Sequence, residues 1–398
     1  MRTHAAPLSS MFALLALGAL SAVCGAAGGC AQVLGYGDLS ARESDASTLD
    51  ALTDTATADV ADASDGTPDA DADADSGPAV PPERPAGLPQ QASGTGKTLT
   101  FAVKRLYLGT QTHLGESSST AWREWGFDLD GRCTDLNASK QGIGTCLRVD
   151  TSTADVLVDG DRCRDNNFGS QIMGLVTTFN TNVETTTTAS ILKGSGTIGV
   201  VITDVDDGAD DGFAPGMIYS LDSMGTAMPA WDGTDVRKVA DTSVKNLDLS
   251  QPLVGFPKGY IRGNVWVSGE GDAFNLPFGL GGTALVLPLQ AGRLAIPLDA
   301  THTQSPEPAL IVGAIPLVDL EAAMKPVAAS AGLCPGNSLY DGLIAKMLTF
   351  PDLVIGAPNL QDTTKTCDGL SVGLGFELKP IQPLTQVVAT TASPSKCP

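Results

Sequence analysis

Six cysteines in the last two thirds of this 398-residue chain constrain its fold more than any other feature. Three lie early and three lie late: they are Cys133, Cys146, Cys163, Cys334, Cys367 and Cys397. An even number of cysteines is typical of disulfides in an exported chain. Because three is odd, at least one bridge must join the two groups if all six are oxidised. Such a bridge would tie the beginning and the end of a single domain together.

The spacing of the cysteines leaves their pairing open, because six cysteines allow many connectivities. We expect two local bridges and one that crosses between the groups: Cys133–Cys146, Cys334–Cys367 and Cys163–Cys397. Zinc binding is the other common use of clustered cysteines. The C-x2-C spacing that such sites favour does not occur in the sequence, which argues against zinc.

The N-terminal residues indicate export. One firm positive charge, Arg2, precedes an apolar core that runs from about Met11 to Val23. This core is shorter than a membrane span requires and has the proportions of a signal peptide. We therefore expect residues 1–30 to be a signal peptide.

The end of this segment resembles the lipobox of bacterial lipoproteins. Ala27-Gly28-Gly29-Cys30 places small residues before a cysteine whose sulfur would receive diacylglycerol, although a lipobox usually begins with leucine. Cys24 fits less well because a bulky residue precedes it. We expect lipidation at Cys30, with a plain secretory signal cleaved near Ala27 as the alternative. Gln32 is not an aspartate, which by the same resemblance favours anchoring at the outer membrane or the cell surface.

Residues 31–96 have the composition of a disordered linker. Between residues 41 and 80 there are eleven acidic residues against the single base Arg42, and there is no aromatic residue. Such a segment buries too little apolar surface to offset its ordering entropy, and its like charges and prolines extend it. We expect a solvated stalk between membrane and domain, with a calcium-buffering or partner-binding tail as the alternative.

The net charge of −21 is shared by both parts of the chain. Residues 1–96 hold 13 acids and 3 bases, giving −10, and residues 97–398 hold 32 acids and 21 bases, giving −11. This balance argues against nucleic acid, which proteins bind through Lys and Arg, and against an anionic membrane surface. The expected partners are the membrane, through the N-terminal lipid, and an extracellular or envelope ligand of unknown identity.

Residues 97–398 are expected to form one β-rich domain. Thr98–Leu108 alternates apolar and polar residues as a strand does. Seven further stretches are rich in Val, Ile, Leu and Thr: Thr197–Val205, Met217–Leu221, Tyr260–Val267, Ala284–Leu289, Leu294–Leu298, Ala309–Leu317 and Leu370–Leu378. Three have helical spacing: Phe168–Phe179, Val318–Ala331 and Leu339–Leu348. The pattern predicts a disulfide-bonded antiparallel β-sandwich or jelly-roll with a few short helices.

Sequence motifs for catalysis or nucleotide binding are weak. The hexapeptide SGTGKT at 93–98 matches the end of a P-loop, but Gln91 stands where a glycine is required and a proline-rich linker precedes it. His113 and His302 have no metal-type partner nearby in sequence, so a surface or structural role is expected. We assign no catalytic and no cofactor-binding residue.

A secreted, carbohydrate-active hydrolase is the second hypothesis, because carboxylate pairs are defined by distance in space. The candidate acids are Glu116, Glu124, Glu184 and Glu270. The candidate aromatic platforms for a sugar are Trp122, Trp125, Trp231 and Trp266. A core or rim role for these tryptophans is the alternative.

Three acidic segments that contain glycine stand out: GFDLDG at 126–131, DGDRCRDNNFG at 159–169 and DVDDGADDG at 204–212. Carboxylates on a tight turn supply the hard oxygens that calcium prefers. The predicted ligands are Asp204, Asp206 and Asp210, although the segment departs from the EF-hand pattern. The alternative is a set of hairpin turns in which aspartates cap their own backbone and bind no cation.

Four motifs are spaced over most of residues 97–380: Trp122 with Gly126-Phe127-Asp128-Leu129-Asp130-Gly131, Asp165-Asn166-Asn167-Phe168-Gly169, Trp231-Asp232-Gly233-Thr234-Asp235, and Cys367-Asp368-Gly369-Leu370-Ser371 with Gly373–Phe376. Together they resemble a family of uncharacterised exported lipoproteins of large-genome soil bacteria. The resemblance implies export and a single domain, and it implies no catalytic residue. We therefore expect a surface-anchored lipoprotein with a non-catalytic binding or envelope-structural role.

Overall fold

The computed structural model describes residues 79–141, 144–148, 157–280, 283–390 and 397, all within the unit Asp71–Pro398. The predicted signal peptide, Cys30 and the predicted linker up to residue 78 lie outside these ranges. Within them, no helix has both the length and the apolar character needed to span a membrane.

Short strands and few helices make up the described part of the chain. The strands are β1 (Lys97–Tyr107), β2 (Cys146–Leu147), β3 (Thr197–Val205), β4 (Gly216–Leu221), β5 (Val239–Ala240), β6 (Val244–Lys245), β7 (Asp248–Pro252), β8 (Val254–Phe256), β9 (Tyr260–Arg262), β10 (Val265–Val267), β11 (Asp272–Leu280), β12 (Thr283–Pro297), β13 (Ala309–Pro316), β14 (Asp362–Thr366), β15 (Gly369–Pro380) and β16 (Val387–Val388). The helices are α1 (Leu136–Lys140), α2 (Met173–Phe179, preceded by a π-helical turn at Phe168–Ile172), α3 (Val183–Leu192), α4 (Leu317–Ser330) and α5 (Ser338–Met347). Short 3-10 turns lie at Ala121–Glu124, Asp161–Cys163, Asp241–Ser243 and Pro358–Leu360.

One large sheet organises the domain. Its strands follow the order β16-β5-β4-β3-β1-β15-β13-β12-β10-β9, with β8 beside β4 and β11 beside β12. Its pairs are antiparallel except for β16 with β5. Two small ribbons, β2–β14 and β6–β7, lie apart from it. The prediction of a mainly β, antiparallel, disulfide-bonded domain with few helices is confirmed.

The principal core contains residues of the central strands, of the β11–β12 hairpin and of helices α2, α4 and α5. The first half of β12 pairs with β11, whereas its second half pairs with β13 and β10, so the hairpin extends out of the main sheet. Leu276 and Leu287 of the hairpin share one buried cluster with Phe101 and Ile202 of the central strands. Burial of this apolar surface is the main favourable contribution to the free energy of folding.

The disulfides connect Cys133 with Cys163, Cys146 with Cys367, and Cys334 with Cys397. The predicted pairing is therefore wrong in all three bridges. The prediction that one bridge joins the early group to the late group is confirmed, because Cys146 and Cys367 are 221 residues apart. The physical reason for the error is that β2 lies parallel to β14, which brings these two distant cysteines together.

The last part of the predicted linker lies against the domain. We call residues 79–96 the strap. Ala79 is buried, and its N–H donates to the carbonyl of Arg162 at 2.8 Å. The hydroxyl of Tyr260 donates to the carbonyl of Pro82 at 2.6 Å. Residues of the strap therefore contact the domain through both backbone and side-chain hydrogen bonds.

Candidate metal centre

Two of the three acidic segments meet in space. Asp128 and Asp130 belong to the loop 126–131, and Asp165 belongs to the segment 159–169. One carboxylate oxygen from each of the three lies within 4.8 Å of the other two. Asp130 and Asp165 are only 1% and 2% exposed, and Asp128 is half-buried. Among the described residues, no other group of three or more His, Cys, Asp or Glu side chains is placed to hold a metal ion.

Backbone contacts hold the two loops together. The N–H of Asp165 donates to the carbonyl of Phe127 at 3.0 Å, and the N–H of Leu129 donates to Oδ2 of Asp165 at 2.6 Å. Gly126 has φ +125°, and a Cβ there would lie 2.8 Å from the carbonyl oxygen of Asp165. Glycine is therefore required at this position both for its backbone conformation and for the close approach.

Hydrogen bonds from nearby residues orient the carboxylates of Asp128 and Asp130. The N–H of Gly131 donates to Oδ1 of Asp128 at 2.6 Å, and the N–H of Arg132 donates to Oδ1 of Asp130 at 2.8 Å. The hydroxyl of Thr145 donates to Oδ2 of Asp130. Each carboxylate oxygen has further acceptor capacity, since an ionised carboxylate offers about four lone-pair sites.

A small pocket opens beside these carboxylates. Asp165 lines it together with Asp159 and Asp352. The disulfide Cys146–Cys367 forms part of its wall, so strands β2 and β14 close one side. Arg148 also lines the pocket and contributes a positive charge.

The electrostatics of the site oppose full ionisation. Burial raises the pKa of Asp159 to about 8, with further increases from the charges of Asp130 and Asp352. Burial also raises the pKa of Asp352 to about 7, although hydrogen bonds from Ser371 act in the opposite direction. Burial, followed by the charges of Asp130 and Asp159, holds the pKa of Asp165 well above its usual range. Burial is the largest cause of these shifts and the neighbouring carboxylates add to it, so a positive charge in this site would favour the ionised forms.

The donor set suits a hard cation. Every candidate ligand atom in the cluster is a carboxylate oxygen, and no His or Cys donor belongs to it. Buried carboxylates are normally paired or coordinate a metal, because an isolated buried charge is strongly unfavourable. The cluster Asp128–Asp130–Asp165 is therefore placed to hold a metal ion.

The carboxylate of Asp204 contacts the strap. It accepts hydrogen bonds from the N–H groups of Ser93 at 2.6 Å, Gly94 at 3.1 Å and Gly96 at 3.3 Å. The glycine-rich motif that resembles the end of a P-loop therefore surrounds a carboxylate of this same chain. Backbone N–H groups of such a turn form an anion-binding concavity.

The other two predicted ligands also have protein partners. Asp206 accepts a hydrogen bond from the hydroxyl of Ser93 at 3.0 Å. Asp210 forms an ion pair with Arg262 at 2.9 Å and accepts the N–H of Gly263 at 2.8 Å. The three carboxylates of Asp204, Asp206 and Asp210 are thus engaged by neighbouring donors and do not form one ligand group. A cation bound by them stays a prediction.

The two histidines in the described part of the chain have structural partners. His113 pairs with Glu124 at 2.9 Å on the exposed surface. His302 is buried, and its ring nitrogens lie 3.0 Å from the carbonyl of Asp206 and from Oδ1 of Asn264. Neither ring belongs to the metal centre.

None of the residues named for a sugar-cleaving site is among the described residues that line the pocket. Trp122, Trp125 and Trp266 are buried, Trp231 is half-buried, and none of the described residues that line the pocket is a tryptophan. Glu184 is buried against Thr110, whereas Glu116 and Glu270 are exposed. The pocket instead contains aspartates.

The two acidic segments that form the centre stand out in the sequence, whereas the predicted ligands lie in the third segment. Asp352 was not recognised at all, because it stands alone in the sequence Pro351-Asp352-Leu353. Only the fold brings it to Ser371, whose N–H and hydroxyl it accepts at 2.8 and 2.6 Å.

Comparison with protein families, with curated proteins and with solved structures finds no match for this chain.

Proposed function

We propose that this chain is an exported lipoprotein whose β domain has a non-catalytic binding or envelope-structural role, stabilised by a calcium ion. The observation that carries the calcium assignment is the convergence of Asp128, Asp130 and Asp165, whose carboxylate oxygens lie within 4.8 Å of one another. Two of these three side chains are almost fully buried. In this proposal the ion replaces the protons that the carboxyls would otherwise have to share.

Calcium suits the site better than the alternatives. It prefers six to eight oxygen ligands in a flexible arrangement, and carboxylates, backbone carbonyls and water all serve. Magnesium demands near-ideal octahedral geometry, and zinc favours His and Cys donors, which are lacking in this group. The pocket beside the cluster supplies space for water ligands.

Binding of calcium is measured by titrating protein that has been dialysed against EGTA. Calcium at about 100 times its Kd should raise the free energy of unfolding by about 2.7 kcal/mol, because it binds only the folded state. Asp130→Asn should abolish that increase, whereas Asp341→Asn, on the exposed surface of α5, should leave it intact. An unfolding curve that does not respond to millimolar calcium would rule the ion out. If Asp210→Asn alone abolished the response, the ion would belong to the 204–212 turn.

Export and anchoring are supported by the sequence and by the oxidised cysteines. Three disulfides suit an extracytoplasmic compartment. Lipidation of Cys30 would anchor the domain at the outer membrane, with the acidic linker as its stalk. In the native host, Cys30→Ser should move the protein from the membrane fraction to the soluble exported fraction. An unprocessed leader on the wild-type protein would overturn this part of the proposal.

A hydrolase is the second candidate, and one observation favours it. Asp159 and Asp352 line the same pocket, which is where acid–base chemistry would need two carboxyl groups. The absence of a tryptophan among the described lining residues counts against a sugar substrate. Hydrolysis of a glycan or ester that disappears in both Asp159→Asn and Asp352→Asn, with calcium binding retained, would establish the enzyme.

A further inference from the structure

The bridge Cys133–Cys163 is the most accessible of the three disulfides. Cys133 is exposed to solvent and Cys163 is half-buried. The other four bridged cysteines are buried or half-buried: Cys146, Cys334, Cys367 and Cys397. A thiolate must reach a sulfur atom in order to break a disulfide, so the exposed Cys133 offers a point of attack.

The backbone beside this bridge is strained. Arg162 has φ +58° and Cys163 has φ +62°, although neither residue is a glycine or an asparagine. A left-handed conformation is unfavourable for side chains of this kind and persists only where the surrounding structure imposes it. None of the other five bridged cysteines has a positive φ. The closed bridge is therefore placed to hold this turn in its left-handed conformation.

The strained turn carries one end of the strap. The carbonyl of Arg162 accepts the N–H of Ala79 at 2.8 Å. Across the turn, the N–H of Gly160 donates to the carbonyl of Arg164 at 2.7 Å. A change in the backbone at Arg162 would move the acceptor that Ala79 requires.

A second pair of contacts lies beside the bridge. The N–H of Asp159 donates to the carbonyl of Thr134 at 3.1 Å, and the N–H of Thr134 donates to Oδ2 of Asp159. Thr134 directly follows Cys133, and both Thr134 and Asp159 line the pocket beside the metal centre. The bridge thus fixes part of the pocket wall as well as the strap.

We propose that the bridge Cys133–Cys163 is a redox-sensitive switch. Its reduction by a dithiol lets the left-handed turn at Arg162 and Cys163 relax and loosens the strap at Ala79. The chain before Ala79 is the predicted linker, so the redox state controls how firmly that linker joins the domain. The inference goes beyond the proposed function and requires no bound cation.

The reduction is an ordinary thiol–disulfide exchange. A thiolate of the dithiol attacks Sγ of Cys133 and forms a mixed disulfide, while the bond to Sγ of Cys163 breaks and Cys163 leaves with the electron pair. The second thiolate of the dithiol then attacks its own sulfur in the mixed disulfide and releases Cys133. The dithiol ends as a disulfide, the bridge has gained two electrons, and the two protons of the dithiol end on the two cysteines.

The first experiment identifies the bridge that opens first. Native protein is equilibrated at rising ratios of reduced to oxidised dithiothreitol, free thiols are alkylated, and the peptides are mapped by mass spectrometry. Cys133 and Cys163 should become free at a ratio at least about tenfold lower than any other cysteine. Earlier opening of another bridge, or simultaneous opening of all three, would overturn the proposal.

The second experiment tests the role of the strained backbone. Arg162→Gly removes the cost of the left-handed conformation, whereas Arg162→Ala keeps that cost and matches the loss of the side chain. Because the cost falls on the oxidised form, half-reduction of Arg162→Gly should need a dithiothreitol ratio about fivefold or more above that of Arg162→Ala. Equal ratios would mean that the turn does not relax when the bridge opens, which contradicts the proposal.

The third experiment measures the response of the strap by hydrogen exchange. The double variant Cys133→Ser/Cys163→Ser represents the open bridge, and Cys334→Ser/Cys397→Ser is the matched control. The amides of Ala79 and Asp159 should exchange at least about fivefold faster than in wild type in the first variant and at an unchanged rate in the second. The amide of Ile202 in β3 should be unaffected in both.

Selective reduction keeps this test available if the first variant does not fold. Wild-type protein is then reduced and alkylated at Cys133 and Cys163 alone, and the same amides are followed. Unchanged exchange at Ala79 with the bridge open would show that the bridge is purely structural and would overturn the switch.

Discussion

Cys146 is disulfide-bonded to Cys367, and this bond forms part of the wall of the pocket beside the metal centre. The residue before Cys146 is Thr145, whose hydroxyl donates to Asp130. Directly after β14, the N–H of Cys367 donates to the carbonyl of Leu147 at 2.9 Å. The bridge therefore holds β2 against β14 and holds Thr145 against a candidate ligand of the ion.

Removing this bridge should weaken both the fold and the metal centre. In the chain-entropy treatment, a loop of this length stabilises the folded state by about 5 kcal/mol, and native disulfides typically contribute about 2–5 kcal/mol. The double variant Cys146→Ser/Cys367→Ser should lose stability in that range in urea unfolding, and it should bind calcium more weakly. The control is Cys334→Ser/Cys397→Ser, which removes a bridge that does not line the pocket. Equal calcium affinities in the two double variants would contradict the positioning role.

Glycine at position 375 should be required because Trp125 packs directly on the strand. A Cβ at Gly375 would collide with the six-membered ring of Trp125. The indole has little freedom to move, since it stacks on Tyr107 at 4.7 Å and its Nε1 donates to the carbonyl of Gln111 at 2.9 Å. We expect Gly375→Ala to lower the free energy of unfolding by about 1–3 kcal/mol, as overpacking of a core does.

The matched control for this substitution is Gly255→Ala in β8. A Cβ at Gly255 meets no atom within 4 Å. Its effect on stability should stay within about 0.5 kcal/mol, as is usual for substitutions that disturb no contact. Urea unfolding of both variants checks the prediction, and similar losses in the two would show that the Trp125 contact is not the cause.

Glu184 should make stability depend on pH. The side chain is 1% exposed, and its Oε2 accepts the N–H and the hydroxyl of Thr110 at 3.0 and 2.7 Å. Burial raises the pKa of this carboxyl, although the hydrogen bonds from Thr110 act against the rise. Because the folded pKa lies above the unfolded one, its contribution to stability is fully present below about pH 4.5 and is lost as pH rises through the folded value.

Glu184→Gln removes this titration while keeping an oxygen that accepts from Thr110. Relative to wild type, the variant should therefore become more stable as the pH is raised from 4 to 8. Urea unfolding at several pH values measures the difference, with the exposed Glu270→Gln as the control. A difference between variant and wild type that is constant over this range would contradict the prediction.

Much of the fold follows from local sequence patterns. Thr197–Val205 was predicted as a strand and is β3, and the three predicted helices match the π-helical turn with α2, then α4 and α5. Two predicted strands, Ala284–Leu289 and Leu294–Leu298, are parts of the single strand β12. Between them, Ala291 takes φ +49°, and the register shifts there. In the sequence, a local irregularity of this kind resembles a turn between two separate strands.

Other elements depend on packing that the sequence does not display. Helix α3 contains four consecutive threonines, which favour strands. It is helical because it packs on β1, where the hydroxyl of Thr188 contacts the backbone of Leu106 at 3.5 Å. Strand β11 contains Pro277, which is tolerated because β11 pairs along only one edge, with β12.

The metal centre also depends on tertiary packing that the sequence does not display. The spacing of aspartates within one segment favoured Asp204, Asp206 and Asp210, whereas the cluster takes two carboxylates from one segment and one from another. Convergence of separate loops is a tertiary property, and here it follows from the bridge Cys133–Cys163 and the bond between Asp165 and Phe127. The spacing of residues within a single segment cannot predict this convergence.

The protein without calcium should lose stability as the pH rises through neutrality. The pKa values of Asp352 and Asp159 in the fold, about 7 and about 8, lie above the ordinary value of 3.8. Their contribution to stability is therefore fully present below about pH 4 and is lost as the pH rises through 7 and 8. With calcium bound, the ion compensates the same charges, so the free energy of unfolding should change much less between pH 6 and pH 9.

Two measurements check this dependence. Urea unfolding at pH 6 and at pH 9, with EGTA or with calcium, should give a larger fall in stability without the ion. Calorimetric titrations at pH 7 in two buffers of different ionisation enthalpy should show that calcium binding releases protons, since the ligand Asp165 has a raised pKa and a bound cation favours its ionised form. Parallel pH curves with and without calcium, together with no proton release, would mean that the ion does not bind next to Asp159 and Asp352. In that case the calcium assignment at Asp128, Asp130 and Asp165 would have to be abandoned.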